Sequence, residues 1–189
     1  MNNVLFIDAC ARPDSRTRFL AEKVLAKLGG QAEKLNLYAE NLLPLTYEQL
    51  EERNRLIAAG DFSAPLFQFA RQFAEADEIV IAAPYWDLSF PSILRIYLEH
   101  TTVTGLTFRY SETGVPVGLC KAKRLIYVTT AGGPIGDRNF GFDYVEALAK
   151  TFYGIPQVLC FQAENLDIWG ADVPGILENA AKEIQNSAL

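Results

Sequence analysis

Short apolar runs alternate with helical patterns from one end of the chain to the other. The runs are Val4–Ala9, Ala32–Tyr38, Glu78–Ala83, Arg124–Thr130 and Pro156–Phe161. Their apolar character is continuous rather than alternating, which marks strands buried on both faces, as parallel strands are. After the first run, Phe19, Leu20, Val24, Leu25 and Leu28 line one face of a helix that ends at Gly29-Gly30. Val145, Leu148, Ala149 and Phe152 recur at helical spacing, as do Val173, Ile176, Leu177, Ala180 and Ala181. Residues 47–76 predict two helices broken around Gly60 to Ala64, and Pro91 opens a further helix. The stretch Gly105 to Gly114 breaks the rhythm and reads as an extended piece and a turn.

Five strands separated by helices, joined by right-handed crossovers, predict an α/β fold. The expected architecture is a doubly wound five-stranded parallel sheet, strand order 2-1-3-4-5, with helices on both faces. At 189 residues, with no internal repeat, low-complexity tract or linker, residues 1–189 read as a single domain.

Composition narrows the function classes. Half the residues are hydrophobic (50%) and 12% are aromatic, as in a globular protein. A net charge of -6 argues against a general nucleic-acid or anionic-membrane partner. Cys10, Cys120 and Cys160 lie far apart and form no CxxC pair, which fits a reducing compartment. With one histidine, His100, a zinc site of the His/Cys type is unsupported, and no metal is expected. His100 falls on a predicted helix, where a surface or interface role is expected. Met1-Asn2-Asn3-Val4 carries no basic region of a secretory signal, and no apolar run approaches a membrane span. A soluble cytoplasmic protein is expected.

With that strand order, the loops after the first, third and fourth strands meet at the carboxyl edge of the sheet, where such folds bind ligands. The first loop runs from Cys10 to Arg18. Hydroxyls at Ser15 and Thr17, free amides of a first helical turn and the helix dipole make a phosphate cradle, with Arg12, Arg16 and Arg18 adding positive charge. A plain helix cap by Asp14 or Ser15 accounts for the same residues equally well. The second loop, Pro84-Tyr85-Trp86-Asp87-Leu88, offers two flat apolar rings to a planar ligand, or else anchors a packed turn through Trp86. The third, Thr129-Thr130-Ala131-Gly132-Gly133-Pro134, has paired glycines that let backbone approach a ligand, or serve a tight turn. Cys10 suits a small packing residue better than a redox thiol, because no resolving cysteine is near it in sequence. The GxGxxG, P-loop and GxSxG signatures are absent from the sequence.

Three motifs resemble the flavodoxin-like NAD(P)H:quinone oxidoreductases and FMN-dependent azoreductases. Cys10-x-Arg12-x-x-Ser15-x-Thr17 is similar to that family's phosphate loop. Ala83-Pro84-Tyr85-Trp86-Asp87-Leu88, followed by Pro91-Ser92-Ile93-Leu94-Arg95, is similar to its flavin-edge loop and following helix. Gly105-Leu106-Thr107-Phe108-Arg109-Tyr110 and Thr129-Thr130-Ala131-Gly132-Gly133 resemble its substrate-side and flavin-rim loops.

The resemblance implies an FMN cofactor bound by Cys10, Arg12, Ser15, Arg16 and Thr17 at the phosphate, by Pro84, Tyr85, Trp86, Asp87 and Leu88 along the ring edge, and by Thr130, Ala131, Gly132 and Gly133 at the rim. It implies that Tyr110 and Phe152 border the acceptor. It further implies NADH or NADPH as donor, a quinone-like or azo acceptor, ping-pong hydride transfer through flavin N5 with no catalytic side chain, and a homodimer. Two residues depart from the family's pattern: Asp87 stands where Asn is usual, and Ala131 where a polar residue is frequent. An ionised Asp87 near the ring is expected to shift the flavin's potential. The rival reading is a flavodoxin-like electron carrier or FMN-binding module without NAD(P)H turnover, against which the Gly105–Gly118 loop and the basic first loop weigh. A non-flavin protein on the same scaffold is a third reading.

Overall fold

The computed structural model describes residues 3–29 and 31–189. Gly30, the second half of the expected helix stop, lies outside them, as do Met1 and Asn2 at the segment examined for a signal. The central sheet holds β1 (Val4–Asp8), β2 (Ala32–Asn36), β3 (Glu78–Ala82), β6 (Arg124–Thr130) and β7 (Gln157–Ala163), all parallel, in the order β2-β1-β3-β6-β7. That is the expected 2-1-3-4-5 arrangement, with the small hairpin of β4 (Phe108–Tyr110) and β5 (Pro116–Gly118) set apart as a second, antiparallel sheet. In the central ladder Val4 stands opposite Glu78, and Glu78 opposite Arg124.

Successive strand residues point to opposite faces, and each face has its own apolar cluster. Leu5, Ile7, Ile79, Ile81, Leu125 and Tyr127 pack under α3 (Gln68–Glu75), α4 (Ser92–Thr101) and α5 (Phe140–Leu148). Val4, Phe6, Val80, Ala82, Ile126 and Val128 pack under α1 (Arg16–Leu28) and α6 (Val173–Asn186). β1 is buried at every position because it lies inside the sheet. β2 departs from the expected burial on both faces: at the edge it buries only Leu35 fully, and its polar Glu33 and Lys34 face solvent, because an edge strand has no neighbour on one side.

The helix pattern of residues 47–76 resolves into α2 (Tyr47–Ala59), a 3-10 turn at Pro65–Phe67, and α3. Thr46 and Gln49 form a reciprocal capping box at the start of α2, and Gly60 closes it in the left-handed region at φ 67°. The helix opened by Pro91 is α4, and Gly29 ends α1 at φ 68°. Two boundaries differ from the sequence reading. The pattern through Phe152 leaves α-helical geometry after Leu148 and passes into a π turn, Ala149–Tyr153. The extended piece within Gly105–Gly114 pairs with residues beyond it, making the β4–β5 hairpin. Gly118 is where hairpin and π turn meet: a Cβ there would lie 2.2 Å from the backbone nitrogen of Gly154. Only a residue without a side chain lets the two backbones touch. Among the described residues, no helix is long and apolar enough to cross a membrane.

Candidate functional site

Strand order reverses between β1 and β3, so the loops leaving their carboxyl ends diverge and open a crevice. A cleft of about 240 Å³ fills it. Ala11, Arg12, Asp14, Ser15, Arg16 and Thr17 line one side, Pro84, Tyr85 and Trp86 a second, and Thr130, Ala131 and Gly132 a third. The three loops singled out in the sequence therefore do converge. A fourth, after β7, adds Leu166 and Asp167. Periodicity does not mark those two residues; the available signal was the strand order itself, which sets the loop after β7 beside the loop after β6.

The phosphate-type loop is built around the start of α1. Ser15 is the N-cap, its hydroxyl accepting from the Arg18 N–H at 3.3 Å. This settles which residue caps, and the same hydroxyl also lies within hydrogen-bond reach of the Cys10 thiol. Helix geometry leaves the amides of Arg16 and Thr17 without intrahelical acceptors. The Thr17 hydroxyl shares a 2.6 Å hydrogen bond with that of Thr130, both buried, which ties the first loop to the third. Arg16 donates to Asp167 Oδ1 at 2.8 Å and to the Leu166 carbonyl at 3.4 Å, tying the first loop to the fourth. Both members of that ion pair are substantially exposed, so it contributes about 0–1 kcal/mol and yields readily to a competing anion.

The three arginines do not act alike. Arg12 lines the cleft and makes no ion pair among the described residues. Arg18 is not at the cleft: it is bonded to Asp8 and to loop carbonyls, so its expected contribution to the positive charge facing a ligand is withdrawn. Cys10 is buried behind the loop, its thiol 3.7 Å from the Ala82 carbonyl, and burial pushes that thiol up to about 12. It is a packing residue.

On the opposite wall, Tyr85 is held at both ends. Its N–H donates to the Thr130 carbonyl at 3.0 Å and its hydroxyl to the Arg138 carbonyl at 2.9 Å. Trp86 is 42% exposed and lines the cleft, so it is no buried anchor. Trp86 and Ser89 exchange backbone hydrogen bonds at 3.1 and 2.8 Å across a two-residue turn, Asp87-Leu88, with φ 50° and 68°. Both central residues lie in the left-handed region, which Asp adopts at less cost than Leu. The side chains of Asp87 and Leu88 sit exposed on the turn tip and do not line the cleft.

Gly133 also stands outside the lining, and a Cβ there would meet nothing within 4 Å. Its carbonyl accepts from the Asn165 N–H at 3.2 Å, while the Leu166 N–H bonds Ala131 and the Asp167 N–H bonds Gly132, at 3.1 and 2.9 Å. The glycine turn is thus zipped to the loop after β7. Tyr110 and Phe152 come together, but away from the cleft. Both stack edge-on against Phe108, with centroids 5.4 and 4.9 Å away. His100 lies on α4 with Nε2 2.8 Å from the Leu43 carbonyl and does not line the cleft.

Comparison with known proteins agrees with this geometry. A family profile described as "Flavodoxin-like fold" matches residues 2–188. The chain belongs to the flavodoxin-like fold family. Within it, the chain is 36% identical to FMN-dependent NADH:quinone oxidoreductase 2 of Clostridium acetobutylicum, over 100% of this chain and 98% of that protein. It is 34% identical to the FMN-dependent NADH:quinone oxidoreductase of Coprothermobacter proteolyticus, with the same coverage. Among solved structures, an azoreductase from Bacillus anthracis superposes with a TM-score of 0.84 at 24% identity, covering 97% of each chain. An FMN-dependent NADH-azoreductase of the same species, in complex with FMN, gives 0.82 at 24% identity, covering 98% of this chain and 96% of that one. Those two share the flavodoxin-like fold.

Proposed function

We propose that the protein is an FMN-dependent oxidoreductase that takes electrons from NADH or NADPH and reduces quinone-like or azo acceptors, with its FMN in the cleft after β1, β3 and β6. The observation that carries this is the donor set of that one cleft. One lining combines an anion cradle, formed by Ser15, the first amides of α1, Arg12 and Arg16, with the aromatic side chains of Tyr85 and Trp86. A phosphate joined to a planar ring system matches both features at once, and the full-length relatives named as FMN-dependent quinone oxidoreductases support the choice. When bound there, flavin supplies the two-electron chemistry.

The residues of the chain bind and orient. Ser15 and the α1 amides hold the phosphate, assisted by the helix dipole, with the Arg12 and Arg16 guanidinium groups adding charge. Thr130, Ala131 and Gly132 lie along the ring by their backbone, and Tyr85 and Trp86 wall the slot that donor and acceptor would enter in turn. In this reading Asp87, Leu88, Gly133 and Cys10 shape loops rather than touch the cofactor, and Tyr110 and Phe152 belong to an acceptor-side surface. The exposed apolar side chains Trp86, Leu88, Tyr110 and Phe140 support a homodimer in which a second copy covers part of this area. Three free cysteines support a reducing, cytoplasmic setting, and residues 1–189 form one FMN-binding domain.

The test is the visible spectrum of the purified protein, kept anaerobic, before and after NADH. A yellow protein bleached by NADH and recoloured by a quinone is the expected result. A colourless protein that does not take up added FMN overturns the reading. Bound flavin reduced by dithionite but not by NADH or NADPH replaces it with an electron carrier.

A further inference from the structure

The guanidinium of Arg18 spends its hydrogen bonds on one task. Nε donates to Asp8 Oδ2 at 2.5 Å, one terminal nitrogen donates to the carbonyls of Arg12 and Pro13 at 2.8 and 2.9 Å, and the other donates to the Cys10 carbonyl at 2.8 Å. Arg18 is the third residue of α1, in the first turn, where the helix dipole opposes a cation. Asp8, buried at the end of β1, supplies the opposing charge, and its other oxygen accepts from the Cys10 N–H at 2.9 Å.

The consequence lies on the other side of the loop. In a trans peptide the carbonyl and the following N–H point in opposite directions, and no cis bond interrupts the described chain. Drawing the Cys10 and Pro13 carbonyls onto Arg18 therefore turns the N–H groups of Ala11 and Asp14 away from it. Both residues line the cleft, and neither N–H donates a hydrogen bond among the described residues. A loop whose carbonyls are gathered behind it presents its amides in front, as an anion-binding concavity requires.

We propose that Arg18, held by Asp8, is the positioning residue of the phosphate loop: it collects three loop carbonyls, turns the amides toward the cleft, and never touches the phosphate itself. This rests on the reading of the cleft as an FMN site. A planar fork with several fixed donors is needed for such a clamp, so lysine is no substitute.

The experiment compares the affinity of the apoprotein for FMN and for riboflavin, by flavin fluorescence, in the wild type, Arg18→Lys, Arg18→Ala and Asp8→Asn. The two ligands differ only in the phosphate, so their affinity ratio reports the loop and is insensitive to general loss of folded protein. We expect both Arg18 variants to bind FMN about tenfold more weakly or worse, with riboflavin affinity within about twofold of wild type. Asp8→Asn retains the shape and the acceptor for Cys10, and it too should lower the ratio. If Arg18 contacted the phosphate directly, Asp8→Asn would instead free the cation and raise the ratio, which would overturn the proposal. A wild-type ratio in Arg18→Lys overturns it as well, as does equal loss of both ligands with unchanged far-ultraviolet circular dichroism. Should Arg18→Ala fail to fold, the other two variants carry the comparison. A wild-type protein that does not distinguish FMN from riboflavin is a different outcome: there the cleft is no phosphate site, and the clamp falls with that reading.

Discussion

Gly132 and Asp167 meet so closely at the cleft wall that a Cβ on the glycine would lie 2.4 Å from Asp167 Oδ2 and 3.2 Å from the Asp167 Cβ. The Asp167 N–H also donates to the Gly132 carbonyl, so the two loops cannot easily separate. A side chain at 132 would push aside the Asp167 carboxylate, an exposed group that can move, and with it the ion pair to Arg16. Gly132→Ala should cost no more than about 1 kcal/mol, measured by urea unfolding, and Gly132→Ala combined with Asp167→Ala should recover most of that. A fully additive double variant would show that the two side chains do not compete for the same space.

The Thr17–Thr130 hydrogen bond joins the phosphate-type loop to the glycine loop through two buried hydroxyls. Replacing one threonine by valine keeps the shape and orphans the other hydroxyl. Each single variant should lose about 1–3 kcal/mol, and the double variant clearly less than the sum. A double-mutant cycle by chemical denaturation gives the coupling, and a coupling of zero removes the bond from the site's scaffold.

At the turn tip, Leu88 holds φ 68° with an exposed side chain. A left-handed leucine costs about 1–2 kcal/mol, and glycine adopts the same conformation freely at some cost in unfolded-chain entropy. Leu88→Gly is expected to stabilise the protein by roughly 0.5–1 kcal/mol without altering flavin uptake. A lower melting temperature would mean that the leucine side chain makes contacts that outweigh its backbone strain.

Asp87, beside it, is exposed and outside the cleft lining, so water and salt screen its charge. The sequence suggested a tuned flavin potential; the placement argues for a small effect. Asp87→Asn should shift the midpoint potential by less than about 30 mV, the two-electron equivalent of about 1.4 kcal/mol. A larger shift in a redox titration would bring Asp87 back to the ring.

The three thiols offer a pH test. Burial raises Cys10, Cys120 and Cys160 from the ordinary value of 9.0 to about 12. Between those values the unfolded chain loses thiol protons that the folded chain keeps, so stability must fall as pH rises from about 9 toward 12. Below pH 9 the thiols impose no slope. Urea midpoints at pH 8 and pH 10.5 should show the fall, and replacing all three cysteines by alanine should reduce it, leaving the part contributed above pH 10 by the buried hydroxyls of Tyr97, Tyr127 and Tyr153, which burial also raises. Rapid labelling of Cys10 by a thiol reagent at pH 8 in the native protein would contradict its placement.

The sheet was legible because its evidence is local. Runs such as Ile79-Val80-Ile81 have no polar face to give to solvent, so they can only be inner strands, and the alternation of strands with helices then fixes a parallel, doubly wound order. The breaks at Gly60, Pro91 and Gly29 were legible for the same reason, since each residue's own backbone restricts what can follow. The β4–β5 hairpin was not, because Phe108–Tyr110 is too short to declare itself and is defined by pairing with residues that follow a turn.

At the site, the sequence by itself determined which loops carry chemistry: a hydroxyl and arginine loop, an aromatic strand end and a glycine turn, all at carboxyl ends of buried strands. Only the tertiary structure decided what each side chain does there. Arg16, Arg18 and Arg12 are the same residue type within seven positions, yet one pairs with Asp167, one with Asp8, and one makes no ion pair among the described residues. Asp167 comes from a loop 151 positions away, whereas Asp8 sits only ten positions back on the strand that leads into the loop, and a charge's role is set by the partner it meets. Spacing along the chain encodes which face a residue lies on; it does not encode which acid waits on the next strand.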